Sequence, residues 1–423
     1  MKIYAASHLF PVSSPAIEGG ALAVQNGRIM AVGTLAELSA SFSVPVLEFP
    51  GCAIIPGLVN AHSHLELTHF PSWKVRKGID YAPRTYTDWI IQVIKIRKSL
   101  SREERERSVL EGIRISLEAG TTALGEILSD PELLSLYLSS PLTGRIYLEA
   151  LGHAPQRCAA VLTAIAATLP LFSGTDLLPG ISPHAPHTLS DDFFRELRDL
   201  AAEKALPLMT HLSESREEAT FLFDSSGPIA EKLYPFVDWN EYLPPARRTT
   251  STAYLDSLEI LSSATTVVHC VHITPSEAEL LKKRGVSVVL CPRSNEKLDV
   301  GTAPVHLLKA AGIALALGTD SLASNDSLSL FDEARFLLKK FPEQFTPSEV
   351  LRMMTLVGAE AIGRGNDIGS LQQGKRADFL VLSLQDTPGR DLCLEIIEEA
   401  KIREVYICGT PLFTAVSPEP LVL

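Results

Sequence analysis

Apolar and polar positions change rhythm twice along the chain. Over the first 50 or so residues the apolar positions come in short runs that predict strands. Residues 21–24 (ALAV) and 28–32 (RIMAV) flank Asn26-Gly27, a dipeptide that favours a tight hairpin because both turn positions need positive φ. Residues 46–49 and 53–55 predict two further strands, and Pro56-Gly57 then punctuates the chain. From 56 to 366 short apolar runs alternate with segments of helical period. Residues 87–98 (TDWIIQVIKIRK) and 104–119 (ERERSVLEGIRISLEA) place apolar side chains at helical spacing, the second closing at Gly120. Candidate strands lie at 122–126, 145–151, 178–183, 206–211, 265–269, 286–291 and 313–317, each followed by helical sequence. Such alternation predicts βα units, and about eight of them predict a (β/α)8 TIM barrel. Strand-like runs return at 379–382 and 404–408. The reading is therefore a barrel over 56–366, with 1–55 and 367–423 joined into one small β-sandwich domain.

Composition adds exclusions. Hydrophobic residues make up 46% of the 423 and charged residues 21%, which is ordinary globular usage. The formal net charge of −12 gives no global reason to hold a nucleic acid or an anionic membrane surface. No apolar run approaching ~18 residues stands out, so no transmembrane helix is expected, and the N-terminus lacks the apolar core of a signal peptide. The six cysteines are scattered without a CxxC pair. Free thiols and a cytoplasmic location are the expectation, with Cys270 and Cys291 as small core residues.

Candidate chemistry centres on His62-Ser63-His64, which follows the apolar run 54–59. Residues i and i+2 of a strand share a side, so two imidazoles converge there, and neutral imidazole suits zinc or ferrous iron. Alone this pair says little. His211, His269 and Asp320 strengthen it, because each ends a candidate strand. In a (β/α)8 barrel that end carries the active site. A buried histidine or a capping aspartate is the bland reading of any one of them; their shared position argues for a metal site.

Residues 56–64 (PGLVNAHSH) resemble the signature of the amidohydrolase superfamily. The downstream pieces HLSE (211–214), VVHCVH (267–272), CPRSN (291–295) and GTDSLASND (318–326) are similar to its deaminase and chlorohydrolase branch. Within that branch they are most like the aminodeoxyfutalosine deaminases of menaquinone biosynthesis. Methylthioadenosine/S-adenosylhomocysteine deaminases and guanine deaminases are relatives. NGRIMAVG (26–33) and GSLQQGKRADFLVLS (369–383) resemble the β domain of these enzymes.

The resemblance implies one divalent ion, Zn2+ or Fe2+, on His62, His64, His211 and Asp320. It implies His269 beside the attacking water, Glu214 as proton shuttle and His184 touching substrate. Asp88 and Trp89 fall where relatives bind a sugar or present an aromatic ring. Two-metal relatives use a carboxylated lysine on the fourth strand. Taken as that strand, 145–151 has no lysine, although its Glu149 offers a carboxylate; Arg145 is a candidate for a substrate carboxylate.

The implied substrate is a small amino-purine nucleoside, and a homodimer is the base-rate assembly. Rival readings are the sister deaminases, triazine-type chlorohydrolases, and a barrel that binds without catalysing. The last is disfavoured because all the ligand positions, His269 and Glu214 are present.

Overall fold

The computed structural model describes residues 1–385, 389 and 391–414, so the end of the expected β domain, 415–423, lies outside the described residues. Eight parallel strands run side by side in chain order: Leu58–Ser63, Thr121–Leu128, Thr143–Ala150, Leu177–Pro183, Leu208–Leu212, Thr265–His269, Ser287–Leu290 and Leu315–Leu317. A parallel bridge between Ser63 and Asp320 closes the ring. There the Asp320 amide donates to the His62 carbonyl at 3.1 Å.

Side chains fill the barrel interior, among them Val59, Ile127, Tyr147, Met209, Val268 and Val289. Alternate strand residues such as Leu124, Ile146, Leu148, Ile181 and Val288 face outward into the larger core. Helix Asp191–Lys204 shows how the outer ring attaches. Ser190 caps it, and Phe193, Phe194 and Leu197 form its buried stripe. Fully burying side chains of that size stabilises by ~1.5–3 kcal/mol each.

The terminal strands form a separate sheet: Lys2–Leu9, Gly20–Gln25, Arg28–Thr34, Val46–Pro56, Phe379–Ser383, Lys401–Ile407 and Thr410–Thr414, with the short Ile17–Glu18 at its side. The segment leading into Phe379–Ser383 folds onto the hairpin, where Arg28 and Arg376 form an antiparallel bridge and the Ala377 amide donates to the Gly27 carbonyl at 2.9 Å. Tyr4, Phe49, Phe379 and Tyr406 fill the space between the layers, the last two stacked at 4.4 Å. The predicted hairpin is present, with Asn26 at φ +53° and Gly27 at +74°. Ala53, Ile55, Leu380 and Leu382 present the sheet's other side to the barrel core.

Three expectations change. The strands expected at 46–49 and 53–55 are one, Val46–Pro56. Gly51 at φ +68° lies where the pairing with Lys2–Leu9 slips between Ala6 and His8, so the Pro50-Gly51 break is a bulge. The continuous apolar run 54–59 crosses from that sheet strand into the first barrel strand. With Leu58–Ser63 first and Thr121–Leu128 second, Thr143–Ala150 is the third barrel strand, not the fourth. The fourth is Leu177–Pro183, which also lacks lysine. Finally, Pro155–Phe172 is long and apolar enough to cross a membrane by length and composition. Here it is an outer element of the barrel, with Cys158, Ile165 and Phe172 buried against the core.

Candidate active site

The expected donors meet at the C-terminal mouth of the barrel. His62 and His64 leave the first strand with their Nε2 atoms 3.2 Å apart. His211, in the fifth strand, completes a group whose ligand atoms all lie within 4.8 Å of one another. Asp320 follows the eighth strand, its Oδ1 3.8 Å from His62 Nε2 and 3.7 Å from His64 Nε2. A tetrahedral ion with ~2.0–2.1 Å bonds to nitrogen holds its donors on this scale. The donor set fits zinc or ferrous iron.

Burial keeps the rings ready for a cation. Desolvation drives His62 far below the usual imidazole range and His64 down to about 4, so both are neutral near pH 7. His211 Nδ1 lies 2.8 Å from the His184 carbonyl. That contact places the proton on Nδ1 and leaves the Nε2 lone pair for the site. Asp320 is fixed by the Ser321 amide at 2.8 Å and by the Ser294 and Ser324 hydroxyls at 2.6 and 2.8 Å.

The backbone is strained at these strand ends. Ser213, His269 and Asp320 have φ of +51°, +73° and +57°. Such left-handed conformations in residues other than glycine cost on the order of 1–3 kcal/mol each. Neighbouring strand ends hold them: the Cys270 amide, for example, donates to Leu212 at 3.0 Å.

Beside the donors lie a buried carboxyl and an imidazole, Glu214 and His269. Glu214 accepts a hydrogen bond from the Tyr86 hydroxyl on Oε2 at 2.7 Å, and its Oε1 is 3.7 Å from His269 Nε2. His269 Nδ1 is 2.9 Å from Asn295 Oδ1, which orients the ring, while its buried Nε2 has no hydrogen-bond partner among the described residues. Desolvation raises the Glu214 carboxyl to about 7, with Asp320 adding to the rise and His211 and Tyr86 opposing it. It therefore exchanges a proton near neutrality.

These groups floor a cavity of about 350 Å³, a size suited to a small organic molecule. Helix Tyr86–Lys98 roofs it with Trp89, Ile90, Val93 and Ile94, and Arg97, Lys98, Glu149 and His184 add polar character. Burial opposes the charge on Glu149, yet His184, Arg97, His64 and a hydrogen bond from Ser129 hold it down at about 2. Glu149 is not among the clustered metal donors.

Two candidate contacts lie elsewhere. Asp88 pairs with Lys232 at 3.1 Å and does not line the cavity, because Thr85 caps the helix and Asp88 falls on its outer side. Arg145 sits near the start of its strand, at the opposite end of the barrel. It is buried and donates to the Ile362 and Pro179 carbonyls, so it faces no substrate. His187 is buried, with no hydrogen-bond partner on either ring nitrogen among the described residues, and His272 Nε2 meets the Val300 carbonyl at 2.7 Å. Tyr86, Ser294, Ser324 and Asn295 were not assigned from the sequence. CPRSN and SLASND contain three of them, but only the fold brings them to Asp320 and His269.

A family model described as Amidohydrolase family matches residues 53–412. The chain belongs to the amidohydrolase family. Residues 20–42 separately match an imidazolonepropionase-like composite domain of bacteria. Among curated amidohydrolase relatives, the 5-methylthioadenosine/S-adenosylhomocysteine deaminase of Nitratidesulfovibrio vulgaris is 32% identical over 87% of this chain and 80% of its own. The aminodeoxyfutalosine deaminase of Deinococcus radiodurans is 30% identical over 81% of each. Among solved structures, a zinc-bound adenosine deaminase from Xanthomonas campestris superposes with a TM-score of 0.81 at 26% identity, covering 98% of this chain and 93% of that one.

Proposed function

We propose that the chain is a metal-dependent hydrolytic deaminase of an adenine-type nucleoside, with aminodeoxyfutalosine as its substrate. Residues 56–366 would form the catalytic unit, and 1–55 with 367–423 its β domain. The observation that carries the reading is Glu214: a buried carboxyl poised at about 7, 3.7 Å from His269 and beside the donor quartet. Zinc is the favoured ion, as in the Xanthomonas structure.

A divalent ion on His62, His64, His211 and Asp320 would acidify water and polarise the reacting centre. The chain's own groups then divide the proton work. Asp320 and His269 orient the attacking water and accept its proton. Glu214 protonates the ring nitrogen through Oε1, while Tyr86 holds Oε2; the carboxylate then takes the proton of the newly added hydroxyl and hands it to the amine, so that ammonia leaves as the carbonyl forms. Trp89 and the aliphatic roof suit a purine, and His184 lines the same space.

Arg97 and Lys98 at the cavity wall suit the carboxylate of a benzoate-like substituent. The Deinococcus relative supports this choice of substrate. Methylthioadenosine or S-adenosylhomocysteine is the second reading, favoured by the relative at 32% identity. Ammonia release from aminodeoxyfutalosine, methylthioadenosine, S-adenosylhomocysteine, adenosine and guanine decides between them. The largest kcat/KM should fall on aminodeoxyfutalosine. A preference for guanine would overturn the adenine-nucleoside assignment and leave the family intact.

A further inference from the structure

His64 is held differently from the other rings of the site. His62 Nδ1 meets Met209 Sδ at 3.4 Å, His211 Nδ1 the His184 carbonyl at 2.8 Å, and His269 Nδ1 the Asn295 amide oxygen at 2.9 Å. Among the described residues, no hydrogen-bond partner is found for His64 Nδ1. Imidazoles that bind metals normally anchor their second nitrogen, and that anchor fixes the ring's aim. The aim of His64 then depends on the backbone that carries it and on its packing against the His62 and His211 rings.

Glu126 supplies the grip. It stands on the second barrel strand, Thr121–Leu128, paired in register with Ser63. One carboxyl oxygen accepts the Ser63 hydroxyl at 2.5 Å, and the other accepts the Leu65 amide at 2.7 Å. Ser63 and Leu65 are the residues on either side of His64. From behind, the Tyr137 hydroxyl donates to Glu126 Oε1 at 2.7 Å, tying the carboxyl to helix Leu134–Leu138. All of this is sealed from water, since Glu126 is 0% exposed. The close approach of the two strands has a sequence cause: a Cβ on Gly125 would lie 2.3 Å from the Ala61 carbonyl.

We propose that Glu126 is a positioning residue that aims His64 at the metal by holding the residue on each side of it. This rests on the metal-site reading above. The test is zinc affinity, measured by competition with a chromophoric chelator, alongside the melting temperature of the metal-free protein. Glu126→Ala should bind zinc about 10–100-fold more weakly, the usual cost of losing such a partner. Glu126→Gln should stay within about threefold, well inside that range. Its carbonyl can still accept from Leu65 and Tyr137, and its amide can donate to Ser63.

Tyr137→Phe removes a hydrogen bond to Glu126 without touching the loop, and should leave zinc affinity near wild type. Unchanged affinity in Glu126→Ala would overturn the proposal. So would a loss of affinity across all three variants that merely follows their loss of metal-free stability. If Glu126→Ala does not fold, Ser63→Ala decides: several-fold weaker zinc binding supports the grip and unchanged affinity refutes it. A wild-type protein that binds no stoichiometric zinc would instead sink the metal reading, and this proposal with it.

Discussion

Glu214 occupies a place where a charged carboxylate is costly. It is 3% exposed, it receives one hydroxyl donor, and desolvation lifts it to about 7. A carboxyl in that state suits general acid–base work. Glu214→Gln keeps shape and a hydrogen-bonding oxygen but removes the transferable proton. We expect kcat to fall by ~10²–10⁴-fold with bound metal unchanged, read from steady-state kinetics and metal analysis on one preparation. Loss of metal would make Glu214 a ligand instead. The candidacy of this residue was legible from its offset of three from His211. Its burial was not, because Tyr86 and helix Tyr86–Lys98 that enclose it come from 128 positions earlier in the chain.

His187 gives a second consequence at this scale. Burial holds it neutral, far below the usual imidazole range, while the unfolded chain titrates near 6.5. As pH falls below 6.5 the unfolded state takes up a proton that the folded state refuses, so stability drops on the acid side. The slope for one such proton is about 1.4 kcal/mol per pH unit. His187→Phe should remove that slope: relative to wild type, its urea midpoint should improve steadily from pH 7 to pH 5. A difference that stays constant with pH would show that His187 does not resist protonation.

At the scale of elements, the site is a set of strand ends held in unfavourable backbone conformations by neighbours. Buried glutamates recur behind them. Glu218 accepts the Ser213 and Glu214 amides at 2.9 and 3.3 Å, and Glu333 accepts the Asn325 side chain at 2.7 Å and the Arg293 amide at 3.2 Å. Closure of the eighth strand onto the first depends on glycine. A Cβ on Gly318 would lie 2.8 Å from His62 Cβ and 2.9 Å from its backbone N and O. Gly318→Ala should therefore cost ~1–3 kcal/mol, the range for overpacking, and also weaken metal binding, since the strain falls on a ligand. Denaturant melts and a zinc titration would check both. A variant as stable and as tight as wild type would mean the two strands are free to separate.

The strands carrying His211 and His269 were legible because an apolar run ends abruptly in a metal-competent residue. The start of the first barrel strand was not. The run 54–59 is continuous in sequence but divided between two sheets, and hydrophobicity does not mark the crossing. Arg145 shows the same limit: a charge at the start of an apolar run reads as exposed, yet the fold gives its guanidinium carbonyls to bind at the closed end of the barrel.

At the scale of the whole molecule, the two sheets share packing. Gly120, at φ +84° where helix Arg102–Glu118 ends, leaves room for Leu380 of the terminal sheet; a Cβ there would lie 2.7 Å from that leucine. Barrel and β domain were both visible in the rhythm of the chain, while their contact was not, since it joins residues from opposite ends. The assembled molecule sets Glu214 and His269 beside His62, His64, His211 and Asp320 in a roofed cavity, and we propose that these groups act together. The most direct measurement is ammonia release from aminodeoxyfutalosine by protein stripped with a chelator and then given zinc. The account predicts negligible release after stripping and recovery that saturates at one equivalent of zinc per chain. Full activity in the stripped protein, with no metal detected, would contradict it.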